Sequence, residues 1–466
     1  MAGWSFNMAP VEVPRVNTKY RKIVTKLPVP ESLKFFKQVE RYESRSMHGQ
    51  LPVIWDKAED FRVYDGYGNC WIDFTSTIFV TNAGHANPFV ASALTNGIKN
   101  KLLHTYTFVH KSRADFVKKL VEAVPSQFEK IFLLSAGTEA TECAIKLMRL
   151  NGQRCKPSKV GIISFLGGMH GRTMGAEMLK GNPVSSAWIG YLDPHIYNLP
   201  FPYPWDEDNR PIPRGYDWQG RFKKDIYKLK DKVTDFTDLA GVMIESYLGW
   251  GAIFYPKPYL KALESFAKKY GLLITFDEIQ GGFGRTGKFF VYQHYGIKPD
   301  LLCLGKAISG SLPLSAVVGS KKIMDLPDIG SMSSTHSANP LSCAAGLANL
   351  EYIKTHNLVK EAERKGRILH SYLNRLKNRF FRRISYIGGK GLIAGIIFAD
   401  PDNNKPDILF PSRVCERAMQ KGLLTVHTGR ESIKIGPPLT IPDKALIEGL
   451  DVLAEAINEI DLEVKK

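Results

Sequence analysis

The sequence predicts an α/β protein: a large domain on a mixed, mostly parallel sheet, with a smaller α+β domain built from both chain ends. Three observations predict it. The middle of the chain alternates short apolar runs with amphipathic segments, the pattern of strands crossing through helices in a parallel sheet. The length of 466 residues exceeds the roughly 250–300 residues at which one core stops growing. Ser135, Glu245, Asp277 and Lys306 all fall at or just after the ends of apolar runs, where such a sheet holds its ligands.

The elements follow in order. DGYGNCWIDF, residues 65–74, has glycines flanked by aromatic residues and predicts a hairpin. Strands are expected at Ile131–Ser135, Val160–Phe165, Gly241–Glu245, Leu272–Asp277 and Leu301–Leu304. Between two of them lies a helix opened near Pro258. Leu260, Leu263, Phe266, Ala267 and Tyr270 line one face, and Gly271 stops it. LPFPYPWDEDNRPIPRGYDW, residues 199–218, is too rich in proline for a core element and reads as a long surface excursion. From about residue 346 amphipathic helices mix with short strands, and the last helix carries Leu446, Leu450, Leu453 and Ile457 at helical spacing. The expected division is residues 1–75 as an N-terminal contribution to the small domain, 76–345 as the large domain, and 346–466 as the rest of the small one.

Composition narrows the function. Hydrophobic residues at 44% and charged residues at 23% are ordinary for a soluble globular protein. No run approaches the roughly 20 apolar residues of a membrane span, so no membrane partner is expected. The opening MAGWSFNMAP lacks the pattern of a secretory signal. The basic, acid-poor stretch RVNTKYRKIVTK at 15–26 suggests an organelle transit peptide, but it lacks a clear amphipathic Arg/Ser pattern, which favours a surface segment. Six scattered cysteines show no metal-ligand spacing, so no metal site is predicted, and free thiols in a reducing cytoplasm are expected. The net charge of +17 is dispersed and accompanies no nucleic-acid signature, which favours a solvated basic surface or a site that attracts anions over a nucleic-acid partner.

Chemistry concentrates at the strand ends. SAGTEATECAIKLMRL, residues 135–150, follows a strand and opens a helix. Small residues let the backbone approach a ligand there, and the first-turn N–H groups offer a phosphate cradle. The plainer alternative is a tight turn capped by Thr138. Asp277 ends LLITFD; such a carboxylate is often a cap, but one fixed beside a pyridine nitrogen keeps that nitrogen protonated and the ring electron-withdrawing. Lys306 follows the apolar run DLLCLG among small residues, where desolvation favours the neutral amine that forms imines and shuttles protons. Gly282, Gly284 and Gly287 match GxGxxG, yet Asp300 stands at the start of its strand, so a dinucleotide site is rejected.

Together these segments resemble the class III aminotransferases that depend on pyridoxal 5'-phosphate, the group of 4-aminobutyrate, ornithine and acetylornithine aminotransferases. The resemblance runs from about Val63 to Leu453 through DGYGNCWIDF, NAGHANP, SAGTEA, GGMHGRTMGA, DEIQGGFGRTGKFF, LGKAISGSLPLSAVVG, STHSANPLSCAA and GPPLTI. It implies fold type I and a homodimer whose active sites lie between subunits. By the same resemblance Lys306 forms the internal imine and transfers protons, Asp277 pairs with the ring nitrogen, and Gln280 approaches the ring hydroxyl. Gly137 and Thr138 hold the phosphate with Thr335 of the partner subunit, and an amino group passes from an omega-amine or amino acid to a 2-oxo acid or other carbonyl acceptor.

Three departures bear on substrate. Met169 stands where the family has an aromatic residue over the cofactor ring, with His170 beside it; a thioether covers a ring less rigidly. IESYLGWGA at 244–252 keeps Glu245 in more apolar surroundings, where it either pairs with an active-site cation or caps a loop. Lys434 occupies the position of the usual carboxylate-clamping arginine, with Arg430 close by; either Arg430 replaces the clamp or the clamp is a point charge. Trp250, Phe79 and Tyr247 line a pocket for a larger amine or belong to the core. A racemase or epimerase on the same scaffold, and a catalytically silent homologue, are the alternatives.

Overall fold

The structure, a computed structural model, describes residues 5–465. Residues 1–4 of the opening segment, read above as carrying no secretory signal, lie outside the described residues. A seven-stranded sheet forms the centre: β1 (Lys130–Leu134), β2 (Gly161–Phe165), β3 (Ile196–Leu199), β4 (Leu239–Glu245), β5 (Leu273–Asp277), β6 (Leu301–Leu304) and β7 (Ser315–Gly319). Their spatial order is β3-β2-β4-β5-β6-β7-β1. Neighbours from β3 to β6 run parallel, and β7 is antiparallel to both β6 and β1. Every residue of β2, β4, β5, β6 and β7 is buried, as expected for strands covered on both faces. The five expected strands are present within two residues at each end. β3 and β7 are additional.

The strand order creates the site. From β2 the chain moves outward to β3, then returns to β4 and proceeds the other way to β5 and β6. The connections leaving β2 and β4 therefore diverge and open a crevice beyond their carboxyl ends. Glu245 and Asp277 are register partners at the ends of β4 and β5, and Asp277 is also the register partner of Cys303 in β6.

Six helices matter here: α1 (Pro88–Lys99), α2 (Gly137–Gln153), α3 (Lys257–Tyr270), α4 (Pro340–Thr355), α5 (Leu358–Arg379) and α6 (Asp443–Val464). Helix α2 lies close on the sheet because β4 offers Gly241, where a Cβ would sit 2.3 Å from the Met148 sulfur. Helix α3 ends at Gly271 in the left-handed region, φ 66°, as its sequence predicts. Along α6, Leu446, Leu450, Leu453 and Ile457 are fully buried.

The chain ends share a sheet. Strands Arg62–Tyr64 and Cys70–Asp73 form the expected hairpin, whose turn Asp65 holds by accepting from the N–H groups of Tyr67 and Asn69. Leu423–Leu424 adds to Cys70–Asp73 in parallel, and the Trp71 indole donates to the Met419 carbonyl. A second antiparallel sheet comprises Ile384–Lys390, Ile393–Phe398, Val426–His427 and Ser432–Ile435. Ser76–Phe79 forms a left-handed turn with φ from 45° to 68°, tied down by Ser76 donating to the Gly436 carbonyl at 2.6 Å. The buried Arg285 guanidinium reaches the carbonyls of Leu392 and Pro437 and the side chains of Ser76 and Asn82.

The excursion at 199–218 is partly buried, unlike the surface loop its composition suggests. Phe201 is buried, and Trp205 packs on Tyr386 of the C-terminal sheet at 5.0 Å between ring centroids. The Asn209 amide donates to the Asn404 carbonyl and the Asn404 amide to the Asp208 carbonyl, which fastens it there. The GGFGRTG segment forms turns and opens no helix, and the carboxylate of Asp300 accepts from the Ile274 N–H.

Candidate active site

Five strand ends meet around one cavity of about 240 Å³. Its lining includes Gly137 and Thr138 after β1, Met169 and His170 after β2, and Glu245 at the end of β4. Asp277 and Gln280 come from β5, and Lys306 follows β6. The structure therefore brings together eight residues the sequence singled out.

Helix α2 begins at Gly137, with Ala136 as its N-cap, so Thr138 is a first-turn residue and no cap. The Glu139 carboxylate takes the N–H groups of Ser135 and Ala136. Among the described residues no protein acceptor takes those of Gly137 and Thr138, which border the cavity. The Thr138 hydroxyl bonds Thr173 at 2.6 Å, and Thr173 donates to Glu142 at 2.5 Å. Gly171, at φ 150°, closes this cradle: a Cβ there would lie 2.0 Å from the Thr138 hydroxyl oxygen. Glu142 and Thr173 were not anticipated, because their link joins residues 31 apart and no local pattern marks it.

Asp277 is 4% exposed and held from two sides. The His170 ring nitrogen Nδ1 bonds its Oδ2 at 2.9 Å, and the Ile279 N–H donates to its Oδ1 at 3.0 Å. His170 is itself buried, and its carbonyl accepts from the Thr141 hydroxyl at 2.8 Å. The Ser246 hydroxyl donates to the Asp277 carbonyl at 2.8 Å. Lys306 is half-buried with φ 46°, a left-handed conformation costly for a lysine. Burial holds its amine below the usual lysine range, although Asp277 and Glu245 pull the other way. Ile279 packs against the backbone positions of Gly137 and Gly305, about where either would carry a Cβ.

Two further titratable groups belong to this corner: Glu245 lines the cavity, and Lys434, outside its lining, reaches the lining residue Gln280. Glu245 accepts from the Met169 N–H at 3.1 Å, and burial pushes its carboxyl up to about 7, with the Asp277 charge adding to the effect and His170 opposing it. Lys434 is buried over the Phe79 ring, 4.8 Å from its centroid, and approaches the Gln280 side-chain oxygen at 3.5 Å. Desolvation, reinforced by the charge of Lys306, lowers its amine to about 7. The Met169 side chain is 43% exposed at the cavity mouth. Tyr247 lines the cavity wall, stacked on Phe254.

Five candidate binding residues do not line this cavity: Lys434 and Phe79, which pack on each other, and Arg430, Trp250 and Thr335. Arg430 lies over the Trp250 ring at 4.0 Å and pairs with Glu431 at 3.3 Å, and both Arg430 and Trp250 line a neighbouring cavity. Arg430 sits in the turn before strand Ser432–Ile435, and the guanidinium is spent on these two partners. Thr335 is exposed in a surface segment, its carbonyl bonded to His104 at 2.9 Å.

The residues present fit pyridoxal phosphate: free N–H groups at a helix start, a buried carboxylate clamped by histidine, and a desolvated lysine around one cavity. Comparison with known proteins agrees. The sequence pattern of the family Aminotransferase class-III matches residues 43–457. The chain is similar to the 4-aminobutyrate aminotransferase GabT of Escherichia coli, 31% identical, covering 88% of this chain and 95% of that one. It is also similar to an alanine/serine racemase of Pyrococcus horikoshii, 29% identical, covering 97% and 96%. In fold it matches the omega transaminase from Pseudomonas Jessenii in complex with PMP, with a TM-score of 0.84 at 24% identity, covering 92% and 98%. The chain belongs to the class-III aminotransferases and is a pyridoxal-phosphate-dependent enzyme of that kind.

Proposed function

We propose that the Lys306 cavity moves an amino group from an omega-amine or amino acid to a 2-oxo acid or similar carbonyl acceptor. The observation that carries this reading is the meeting of Lys306, the His170–Asp277 pair and the open start of α2 in one cavity. Bound pyridoxal phosphate supplies an electron sink for the substrate carbon that loses its proton. Gly137 and Thr138 would hold its phosphate, Asp277 its ring nitrogen, Gln280 its hydroxyl, and Met169 a ring face. Lys306 would attach it covalently.

The protein's own groups do the rest. Desolvation lowers the cost of the neutral Lys306 amine, the form that accepts a proton from the substrate carbon and returns it. His170 fixes the direction of the Asp277 carboxylate. Lys434 takes the carboxylate of an acid substrate while Glu245 stays neutral below about pH 7. The exposure of Thr335 supports its donation across a two-fold interface, and the six free cysteines, five of them buried, support a cytoplasmic enzyme. We also divide the chain near residues 75 and 345, because the two ends pair with each other in one sheet.

The test records the visible absorbance of the loaded enzyme with 4-aminobutyrate, ornithine, lysine, glutamate, alanine or a bulky polyamine, and no acceptor. Loss of the visible band with one compound names the donor. The racemase relative keeps a second reading in play: a persistent band with exchange of an amino acid's alpha proton into deuterated water favours it. An unchanged band in Lys306→Ala would overturn the assignment of Lys306.

A further inference from the structure

The cavity that holds Trp250 and Arg430 lies beside the catalytic one and shares no lining residue with it. It measures about 390 Å³, within the range of small-molecule sites. The excursion at 199–218 supplies one wall through Tyr203 and Trp205, whose ring centroids lie 4.9 Å apart at 31°. Tyr386, 5.0 Å from Trp205, continues the aromatic surface, and Ile397 and Phe398 add apolar area. These rings pack on one another into an aromatic wall, and the cavity in front of it takes a flat apolar body.

The charges around the slot do not cancel. Arg430 and Glu431 neutralise one another at 3.3 Å. Lys377, on the last turns of α5, lines the same cavity half-buried and makes no hydrogen bond or ion pair among the described residues. Burial alone pushes its amine below the ordinary lysine range, with no carboxylate restoring it. A partly desolvated cation without a counter-ion is a standing cost that an anion relieves. An amine would meet the same charge and be repelled.

We propose that this cavity is a second binding site, specific for a small aromatic carboxylate whose ring lies among Trp205, Tyr203 and Tyr386 and whose carboxylate meets Lys377. Trp250 forms its wall toward the catalytic cavity: the next residue back in the chain, Gly249, would place a Cβ 2.4 Å from a Glu245 carboxylate oxygen. The site does not depend on the reaction assigned to Lys306.

Isothermal titration calorimetry of the cofactor-loaded protein with phenylacetate tests it, with acetate and benzyl alcohol as comparators. Saturable binding is expected for phenylacetate alone. Lys377→Met and Trp205→Leu should each weaken it by about tenfold or more, while Lys377→Arg retains it, which separates lost charge from damaged packing. Lys434→Met, beside the catalytic cavity at Gln280, should leave phenylacetate affinity unchanged. Absence of saturable heat, equal affinity in Lys377→Met, or loss in Lys434→Met would overturn the proposal; the last would place the acid beside Lys306.

Discussion

Replacing Lys434 by arginine should change how acceptor binding depends on pH. Lys434 is buried over Phe79 with Gln280 as its near polar neighbour, and its amine is lowered to about 7. From about pH 6 to pH 8 its charged fraction falls from roughly nine tenths to roughly one tenth. Glu245, raised to about 7, loses its proton over the same interval and turns from a neutral neighbour into a repelling one. If an acid substrate needs Lys434 charged and Glu245 neutral, each group costs about tenfold in acceptor KM across that interval, about 1.4 kcal/mol apiece. Arginine stays charged throughout and can stack on Phe79 as lysine does. Lys434→Arg should therefore bind a 2-oxo acid about tenfold more tightly near pH 8, match the parent near pH 6, and keep only the Glu245 part of the slope. Glu245→Gln, which can still accept from the Met169 N–H, should remove that part. Initial rates with a varied 2-oxo acid at saturating donor measure this. A parent KM that is flat over the interval, or an unchanged slope in Lys434→Arg, would refute the assignment of these two side chains to the acceptor.

Further outcomes follow from the same geometry. His170→Ala leaves the Asp277 carboxylate with the Ile279 N–H as its remaining partner on that side chain; removing such a bond to a charged group costs about 1–3 kcal/mol, so kcat should fall roughly tenfold to a hundredfold in steady-state assays. Gly171→Ala drives a Cβ into the Thr138 hydroxyl, and dialysis against limiting cofactor should show weakened retention while circular dichroism stays unchanged. Glu278 is fully buried and raised to about 7, accepting from the N–H groups of Val291 and Tyr292. A carboxyl raised by folding binds more protons folded than unfolded between about 4.5 and 7, so its contribution is full at the acid end and is lost as pH rises through 7. Relative to the parent, the stability of Glu278→Gln by urea unfolding should therefore rise from pH 5 to pH 8, whatever its value at either end. Arg285→Leu strands two carbonyls and the side chains of Asn82 and Ser76 in the interior and should cost about 3–5 kcal/mol in the same assay.

Much of the centre was legible because its strands are covered on both faces and so read as unbroken apolar runs ending in a polar residue. That is why Asp277 and Lys306 stood out. β7 was missed because its five residues, SAVVG, follow a loop of the same small and apolar composition. The His170–Asp277 pair spans 107 positions, and no periodicity within either segment encodes it. Arg430 and Lys434 are both cations near the same strand, and sequence spacing does not say which is diverted: packing on Trp250 and pairing with Glu431 decide it. The excursion looked like surface because proline and aspartate dominate its tip, while the aromatic residues that bury its base are spread between them.

The left-handed turn at Ser76–Phe79 bears on when the enzyme becomes competent. Four consecutive non-glycine residues in this conformation cost roughly 1–2 kcal/mol each, more than an isolated turn can sustain. The Ser76 hydroxyl secures it to Gly436, and Phe79 packs where a Gly436 side chain would otherwise be, beneath Lys434. During synthesis the residues around position 77 emerge long before those around 436, so until then the turn lacks its tie to Gly436 and keeps only its own backbone bonds and, later, Arg285. The sheet and the Lys306 loop can form first, and the corner of Phe79 and Lys434 is built only when the chain is nearly complete. A nascent or C-terminally truncated chain would then have the Lys306 loop in place without the Phe79–Lys434 corner beside it.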